Sequence, residues 1–403
     1  MNTKNKIIID RLIGVLIALP LNYLVRFVGF FTRFDHSLSE EKRRIIISKY
    51  KGMGSIIQCT PLIKTLKIKY PNAQIVFVSS VENKMILEKI DLIDEIILLD
   101  DKTVFKLVGS SFGLIWRLLK KRGDLFIDLE IYSNFSSVIT TLSIAKDRFG
   151  FYLNTSKYRL GLYTHMMYFN TTAPITQAYL QFARLLNCEE IVTSQYDFKN
   201  IETSNLIDGE YIVINVNASD LRLERRWSPE SFVQLISAIR NEFPLIKVVL
   251  IGSKNEVDYV GQISKTFAED KYVNDVSGKT SINDLIGCIK GSMFVITNDT
   301  GPMHLSSAVR KRTIALFGPC SPSQYAVGEF VIPIYKNLYC SPCVHEFLIP
   351  PCKGNNQCMQ LIQVNEVLKE VRKAVQFENE IVSLNTKTYL GENSTVLGKV
   401  VRG

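Results

Sequence analysis

The chain has 403 residues, 46% of them hydrophobic and 22% charged, which is typical of a globular protein with room for two cores. Lysine and arginine outnumber aspartate and glutamate by 48 to 39, so the formal net charge is +9. That charge favours anionic partners. No zinc-finger, RRM or homeodomain pattern accompanies it, and we therefore expect no nucleic-acid partner.

Residues 1–43 form a basic segment built around one long apolar stretch, 7–31. The stretch is long enough to span a bilayer, yet it is interrupted and no small-residue cleavage site follows it. The interruptions are Asp10, Arg11, Pro20, Asn22 and Arg26. We therefore expect an amphipathic helix that lies peripherally on the inner, cytoplasmic face of the membrane. A helix packed on the domain is the alternative.

Residues 44–200 alternate short apolar runs with amphipathic segments. The pattern predicts strands over 45–48, 74–79, 95–99 and 124–130, and helices over 56–70 and 104–121. Alternation at this spacing indicates right-handed βαβ units and a parallel sheet. Residues 188–210 lose the pattern and predict a linker.

The alternation restarts within residues 201–380. Strands are predicted over 211–216, 246–251, 293–297 and 313–317, and helices over 231–243, 255–268 and 282–290. We expect a last helix, near 364–378, to cross back onto the first domain, and residues 381–403 to form a tail. The sequence thus predicts an α/β protein with two Rossmann-like parallel-sheet domains, whose ligand binds in the cleft between their strand ends.

A cysteine-rich loop, 338–360, carries four of the eight cysteines: Cys340, Cys343, Cys352 and Cys358. Their C-x2-C-x8-C-x5-C spacing is compatible with a structural zinc ion, or with two disulfides in an exported protein. Because no signal peptide is recognised, reduced thiols are favoured, and zinc stays open. No other metal and no cofactor is expected.

Loops at the carboxyl ends of predicted strands carry the candidate ligand-binding residues. Residues 49–55 form a glycine turn that lacks both the dinucleotide fingerprint and the P-loop motif. Asp128 and Glu130 lie two positions apart on one face of a strand, where one can act as a general base or cap the next helix. Arg225 can clamp a diphosphate or lie on a solvated basic face.

The most informative stretch runs from Val295 to His304, where an apolar run breaks into Asp-Thr-Gly-Pro-Met-His. A buried strand ends here, and a helix begins with Thr300 as its oxygen cap and a proline in its first turn. The free N–H groups of that turn predict an anion site, which Gly301 allows a diphosphate to approach closely. An ordinary capped helix is the alternative.

This stretch, followed by Leu-Phe-Gly-Pro at 316–319, resembles the signature of glycosyltransferase family 9, the ADP-heptose:lipopolysaccharide heptosyltransferases and their relatives. Weaker similarities within 44–378 include 53–55, 226–229, 278–281 and 339–343. The resemblance implies a GT-B fold and an inverting, metal-independent transfer. The donor would be a nucleotide-diphosphate sugar such as ADP-heptose, and the acceptor a lipopolysaccharide core or other lipid-linked glycan.

The resemblance also implies roles for residues around the donor. Asp299 would contact the donor sugar, while Thr300, Gly301 and His304 would hold the diphosphate. Arg225 stands where the family has a phosphate-binding lysine, which keeps the charge but changes its geometry. The remaining donor contacts would come from Glu256, at the ribose, and from Thr280 and Ser219.

The acceptor-side loop, with Gly54 and Ser55, departs from the family. Heptosyltransferases have an aspartate, their presumed general base, where this chain has Ser55, and a hydroxyl cannot accept a proton near neutral pH as a carboxylate does. Glu130 or Asp128 is therefore the expected base. The alternative function is a catalytically impaired nucleotide-sugar-binding protein of the same fold.

Overall fold

The computed structural model describes residues 3–38, 41–194, 207–218, 222–326, 328–344, 347 and 350–380. Ser219, much of the predicted linker and the predicted tail 381–403 lie outside the described residues.

The first sheet has six parallel strands in the spatial order β3-β2-β1-β4-β5-β6. They are β1 (Arg44–Ser48), β2 (Gln74–Ser80), β3 (Glu95–Leu99), β4 (Leu125–Asp128), β5 (Asp147–Tyr152) and β6 (His165–Tyr168). The central strand β1 pairs with β2 and β4, so that Ile46 lies opposite Val76 and Phe126. Strands β1 and β4 are buried along their whole length, which explains their unbroken apolar runs.

Among the described residues, six helices belong to this half: α1 (Thr3–Thr32), α2 (Met53–Lys69), α3 (Lys84–Leu87), α4 (Val104–Lys120), α5 (Asn134–Leu142) and α6 (Ile175–Leu185). Helices α2 and α6 pack on one face of the sheet with Ile45 and Ile47. Helices α4 and α5 cover the other face, with Ile46. In this half, the described residues contain two strands, β5 and β6, and three helices, α3, α5 and α6, that were not predicted, because their short runs carry little periodicity.

The second sheet repeats the parallel arrangement in the order β12-β11-β10-β7-β8-β9. Its strands are β7 (Tyr211–Asn215), β8 (Lys247–Ile251), β9 (Val273–Asp275), β10 (Val295–Asn298), β11 (Thr313–Phe317) and β12 (Val331–Tyr335). The helices are α7 (Pro229–Glu242), α8 (Val257–Ser264), α9 (Ile282–Gly291), α10 (Gly301–Ala308), α11 (Pro322–Tyr325), α12 (Gln357–Gln360) and α13 (364–380). Two parallel α/β sheets confirm the predicted fold class.

Helix α13 does not cross to the first sheet, so that expectation is wrong. Its buried Val367 and Val371 lie in the same core cluster as Trp227 of the second-sheet half. Arg372 donates to both carboxylate oxygens of Glu242 in α7, at 2.7 and 2.8 Å. The preceding α12 already packs in that cluster, and a short connection keeps α13 there.

Helix α1 is docked on the first-sheet half through the residues that interrupt its apolar run. Asp10 accepts from the backbone N–H groups of Asn134 and Phe135 at the start of α5, at 3.0 and 2.7 Å. Asn22 donates to the carbonyl of Tyr158, and Arg26 donates to that of Leu160 at 3.0 Å. The expected alternative, a helix packed on the domain, is therefore present in the structure.

The outward side of α1 is apolar. Large exposed side chains follow one another along it: Ile8, Leu12, Leu16, Ile17, Leu19, Tyr23, Leu24, Phe27, Val28, Phe30 and Phe31. Between Ile8 and Thr32 the helix is long and apolar enough to cross a membrane, by length and composition alone. The polar contacts face the protein and the apolar residues face outward, which is the reverse of a surface helix on a water-exposed domain.

Candidate functional site

A cavity of about 590 Å³ lies where the strand ends of the two sheets meet. Residues after β1 and β4 line it from the first-sheet side, and residues after β7, β8 and β10 line it from the second. Asp10 and Arg11 of α1 also line it. The volume is within the range of ligand pockets, and the position is the one predicted for a ligand cleft.

Two glycines allow the halves to touch at this cavity, one in α2 and one in α10. A Cβ on Gly54 would lie 2.0 Å from Cδ2 of the His304 ring, and a Cβ on Gly301 would lie 2.5 Å from Cε of Met53. Both distances are far inside van der Waals contact, so a larger residue would push one side chain away. The start of α2 therefore packs directly against the start of α10, a contact that the sequence does not predict.

The start of α10 differs from the expected cap. Thr300 makes no side-chain capping hydrogen bond. Its hydroxyl instead accepts from Asn215 Nδ2 at 2.8 Å and lies 3.3 Å from Thr297 Oγ1, on the neighbouring strands. The predicted oxygen cap is wrong because those strand side chains hold the hydroxyl; the Met303 N–H instead donates to the backbone carbonyl of Thr300 at 3.1 Å.

Arg225 and Asp299 form a pair on the second-sheet side, with Arg225 Nη1 lying 3.5 Å from Asp299 Oδ2. Burial alone would lower the pKa of Arg225, but the Asp299 carboxylate, with Cys320 and Tyr325, raises it. The guanidinium thus stays charged although it is largely buried. Both residues line the cavity, together with Thr300, Gly301 and His304.

His304 is the neutral member of this group. Burial lowers its pKa to about 4; Arg225 acts in the same direction and the Asp299 carboxylate opposes it. The imidazole is therefore uncharged at neutral pH and can donate one hydrogen bond and accept another.

Glu130 lines the cavity on the first-sheet side. Its Oε2 accepts from Lys49 Nζ at 2.9 Å, and its Oε1 accepts from the backbone N–H groups of Tyr50 and Lys51 at 2.7 and 3.0 Å. Burial alone would raise its pKa, but Lys49 and these hydrogen bonds lower it. Glu130 is therefore an ionised carboxylate with three donors already bound.

Asp128 is fully buried, and it is not among the residues that line the cavity. It accepts from the hydroxyls of Ser48, Ser136 and Tyr163, at 3.1, 2.5 and 2.6 Å, and burial raises its pKa. Strand β4 ends at Asp128, so the alternation used to place both carboxylates does not extend to Glu130. Of the two predicted bases, Glu130 lines the cavity and Asp128 does not.

Asp10 is a cavity carboxylate that sequence reasoning missed. Burial raises its pKa, although the N–H groups at the start of α5 oppose this. The available sequence signal is that Asp10 is the one acidic residue within the sequence of α1.

The other predicted residues are distributed as follows. Glu256 and Thr280 line the cavity from the second-sheet side, and Gly54 and Ser55 line it from the first. Glu256 also accepts from the backbone N–H of Ser253 at 2.7 Å, which closes a capping box.

The four clustered cysteines are free thiols: Cys340 and Cys352 are exposed, Cys343 is half-buried and Cys358 is buried. Within the part of the chain that the structure describes, no three His, Cys, Asp or Glu residues are grouped as a metal site. The zinc alternative stays a prediction.

Known proteins match this chain over most of its length. The family model for glycosyltransferase family 9 (heptosyltransferase) matches residues 115–349. Lipooligosaccharide heptosyltransferase 2 of Campylobacter jejuni is 22% identical over 338 residues, covering 83% of this chain and 98% of the relative.

Solved structures share the fold. A family 9 glycosyl transferase from Veillonella parvula superposes with a TM-score of 0.68 at 19% identity, covering 84% of this chain and 99% of its own. The ADP-heptose lps heptosyltransferase II of Escherichia coli gives 0.65 at 18% identity, with the same coverage. These matches confirm the resemblance inferred from the motifs and the predicted GT-B fold.

Proposed function

Because the chain belongs to glycosyltransferase family 9 and is a glycosyltransferase, we propose that it moves a sugar from a nucleotide-diphosphate sugar to a lipopolysaccharide-core or other lipid-linked glycan. The relatives' names, heptosyltransferases of lipooligosaccharide and lipopolysaccharide, make ADP-heptose the first donor to test. The observation that carries the proposal is the Arg225–Asp299 pair beside the start of α10, inside the cavity between the sheets.

In this proposal the donor lies on the second-sheet side. The diphosphate binds at the first turn of α10, where the helix end is positive and the Thr300 side chain makes no capping hydrogen bond. Arg225 supplies the second positive group and Glu256 contacts the ribose. The proposed domain division follows the two sheets, with an acceptor-side domain at 44–200 and a nucleotide-sugar-binding domain at 201–380.

The proposed transfer is inverting and metal-independent. The acceptor hydroxyl attacks the anomeric carbon, a base takes its proton, and the bond from that carbon to the diphosphate breaks. Negative charge then grows on the leaving diphosphate, where Arg225 and the helix end stabilise it without reorganising.

Glu130 is the proposed base, because it is an ionised carboxylate in the cavity wall; Asp10 is the second candidate. We propose that Asp128, buried below, holds the strand end rather than touching substrate. In this proposal a carboxylate elsewhere in the cavity takes the role of the aspartate that heptosyltransferases have where this chain has Ser55.

Two variants separate the candidate bases, Glu130→Gln and Asp10→Asn. Loss of turnover in Glu130→Gln with unchanged donor affinity would support Glu130, and the same result in Asp10→Asn would transfer the role to Asp10. Because Glu130→Gln leaves Lys49 buried without its partner, the double variant Lys49→Met/Glu130→Gln is the folding control. Full activity in both single variants would remove both carboxylates as the base.

The alternative, an impaired nucleotide-sugar-binding protein, is favoured by one observation. Glu130 already has three hydrogen-bond donors, and Ser55 offers no carboxylate. A panel of nucleotide sugars distinguishes the two functions. Donor binding without transfer or hydrolysis, on any lipid-linked acceptor tried, would favour the binding protein, while turnover would exclude it.

We propose further that the protein lies on the cytoplasmic face of the membrane that carries its acceptor. The outward apolar side of α1 supports this, and its polar contacts with α5 and the 154–160 turn support a helix that rests on the membrane. High-salt and alkaline washes of isolated membranes should release the protein. Retention through both washes would indicate a spanning helix instead.

A further inference from the structure

Helix α4 carries a second exposed apolar surface, which the proposed function does not use. We call it the α4 face: Phe105, Val108, Phe112, Trp116 and Leu119. Their spacing of three or four residues puts them on one side of the helix. Phe105 is 91% exposed, Phe112 71% and Trp116 70%.

The opposite side of α4 is firmly held. Leu114 and Leu118 are buried in a cluster with Ile46 of the first sheet and Ile139 of α5. On the outward side, Gly109 and Gly113 have open space around them, since an added Cβ would meet nothing within 4 Å. The α4 face is therefore a fixed surface on a folded helix.

The α4 face and the apolar side of α1 belong to one layer of the molecule. Both helices pack on α5, which covers the first sheet: Leu114 of α4 shares a cluster with Ile139 of α5, and Ala18 of α1 shares one with Val138. Helix α5, most of which is buried, is therefore a common neighbour of α4 and α1.

The charges around α4 fit an anionic partner. From residue 102 to 122 the chain has six lysine and arginine residues and no acidic residue, and one of the six, Lys106, pairs with Asp100 at 3.3 Å. Exposed members include Arg117, Lys120, Lys121 and Arg122, near the C-terminal end of α4. Aromatic side chains with a basic rim are the pattern of helices that bind an anionic bilayer surface.

We propose that the α4 face enters the headgroup region of an anionic membrane leaflet as a second contact beside α1. The proposal goes beyond the glycosyltransferase function, since lipid binding needs neither donor nor turnover. Two contacts fix the orientation of the first-sheet half, which a single helix leaves free to rotate. Because Asp10 and Arg11 of α1 line the cavity, the cavity is then held near the lipid surface.

The two tryptophans of the chain provide a direct test. Trp116 belongs to the α4 face, whereas Trp227 is 0% exposed and buried in the second-sheet core. Adding phosphatidylglycerol-containing vesicles to the full chain should shift the emission to the blue, and brominated lipids should quench it. Trp116→Phe should lose the shift and the quenching. Binding without either signal in the wild type would overturn the proposal, because α1 would then bind alone.

A charge substitution provides the second test, measured as partition onto the same vesicles. Phe112→Glu should weaken partition by about tenfold. The matched control is Leu245→Glu, at a 77% exposed apolar residue of the second-sheet half, which should leave partition unchanged. Unchanged thermal unfolding of both variants shows that the fold is intact. Equal partition of Phe112→Glu and wild type would overturn the proposal.

The other occupant of the α4 face would be a second copy of the chain. Light scattering without vesicles measures this. A doubled mass that Phe112→Glu abolishes would overturn the membrane proposal and assign the α4 face to a dimer. A monomer that also shows the tryptophan shift on anionic vesicles, and a weaker shift on phosphatidylcholine, supports it.

Discussion

On the second-sheet side of the cavity, Asp299 Oδ2 is buried 3.5 Å from Arg225 and makes no hydrogen bond within the described residues. On the first-sheet side, Glu130 accepts from Lys49 and from two backbone N–H groups. A buried carboxylate whose oxygens all accept hydrogen bonds mainly stabilises the fold, whereas one with an oxygen that accepts none can still bind a donor on a ligand. For this reason the donor side is simpler to assign than the acceptor side.

The largest expected effect tests the donor side. Arg225→Ala should lower kcat/KM by about a thousandfold, because it removes a buried positive charge beside the proposed leaving diphosphate. Arg225→Lys should recover part of that loss, since the charge returns with a different geometry. Steady-state kinetics with the identified donor measures both. Arg226→Ala is the control, because that guanidinium stacks 4.0 Å from the Tyr259 ring; equal losses at both arginines would contradict the assignment.

The second prediction for the donor side concerns how stability depends on pH through His304. Its pKa is lowered from 6.5 to about 4 by burial, so the unfolded chain binds its proton first as the pH falls. The contribution of the neutral His304 ring to the free energy of unfolding is complete above pH 6.5. It falls by up to about 3 kcal/mol as the pH is lowered from 6.5 towards 4.

Urea unfolding of wild type and His304→Gln, at neutral and acid pH, measures this difference. The variant should lose less stability than the wild type on acidification, since the other acid-sensitive groups are common to both. Identical pH dependence would mean that the imidazole is not held neutral.

Substitutions at Gly54 and Gly301 test the contact between the first-sheet and second-sheet sides of the cavity. Gly54→Ala should destabilise the protein by about 1–3 kcal/mol, although alanine favours a helix by about 1 kcal/mol, because the new Cβ meets the fixed His304 ring. Gly301→Ala should cost less, since it meets the flexible end of Met53. Denaturant unfolding ranks the two. The reverse order would contradict the described packing.

The smallest expected effect concerns the cysteine-rich loop. Chelator treatment should leave the unfolding midpoint unchanged, and Cys340→Ser should change the free energy of unfolding by less than about 0.5 kcal/mol, since the side chain is exposed. A midpoint lowered by chelator would support the zinc alternative for the cysteine-rich loop.

Much of the fold followed from local patterns. The apolar run and turn at 295–304 predicted β10 and α10, and the alternation of strands and helices predicted two parallel sheets. These features depend on residues within one or two turns of each other, so periodicity and turn chemistry are sufficient to recognise them. The motif at 299–304 further identified the family.

Only the tertiary structure decided which groups reach the cavity and with what partners. Asp10 lies more than a hundred residues from the α5 N–H groups that it accepts from, and Lys49 is 81 residues from Glu130. Likewise, the Thr300 hydroxyl does not cap α10, because it accepts from Asn215 at the end of β7. Burial and hydrogen bonding between distant segments set these outcomes, and neither is encoded in the spacing of neighbouring residues.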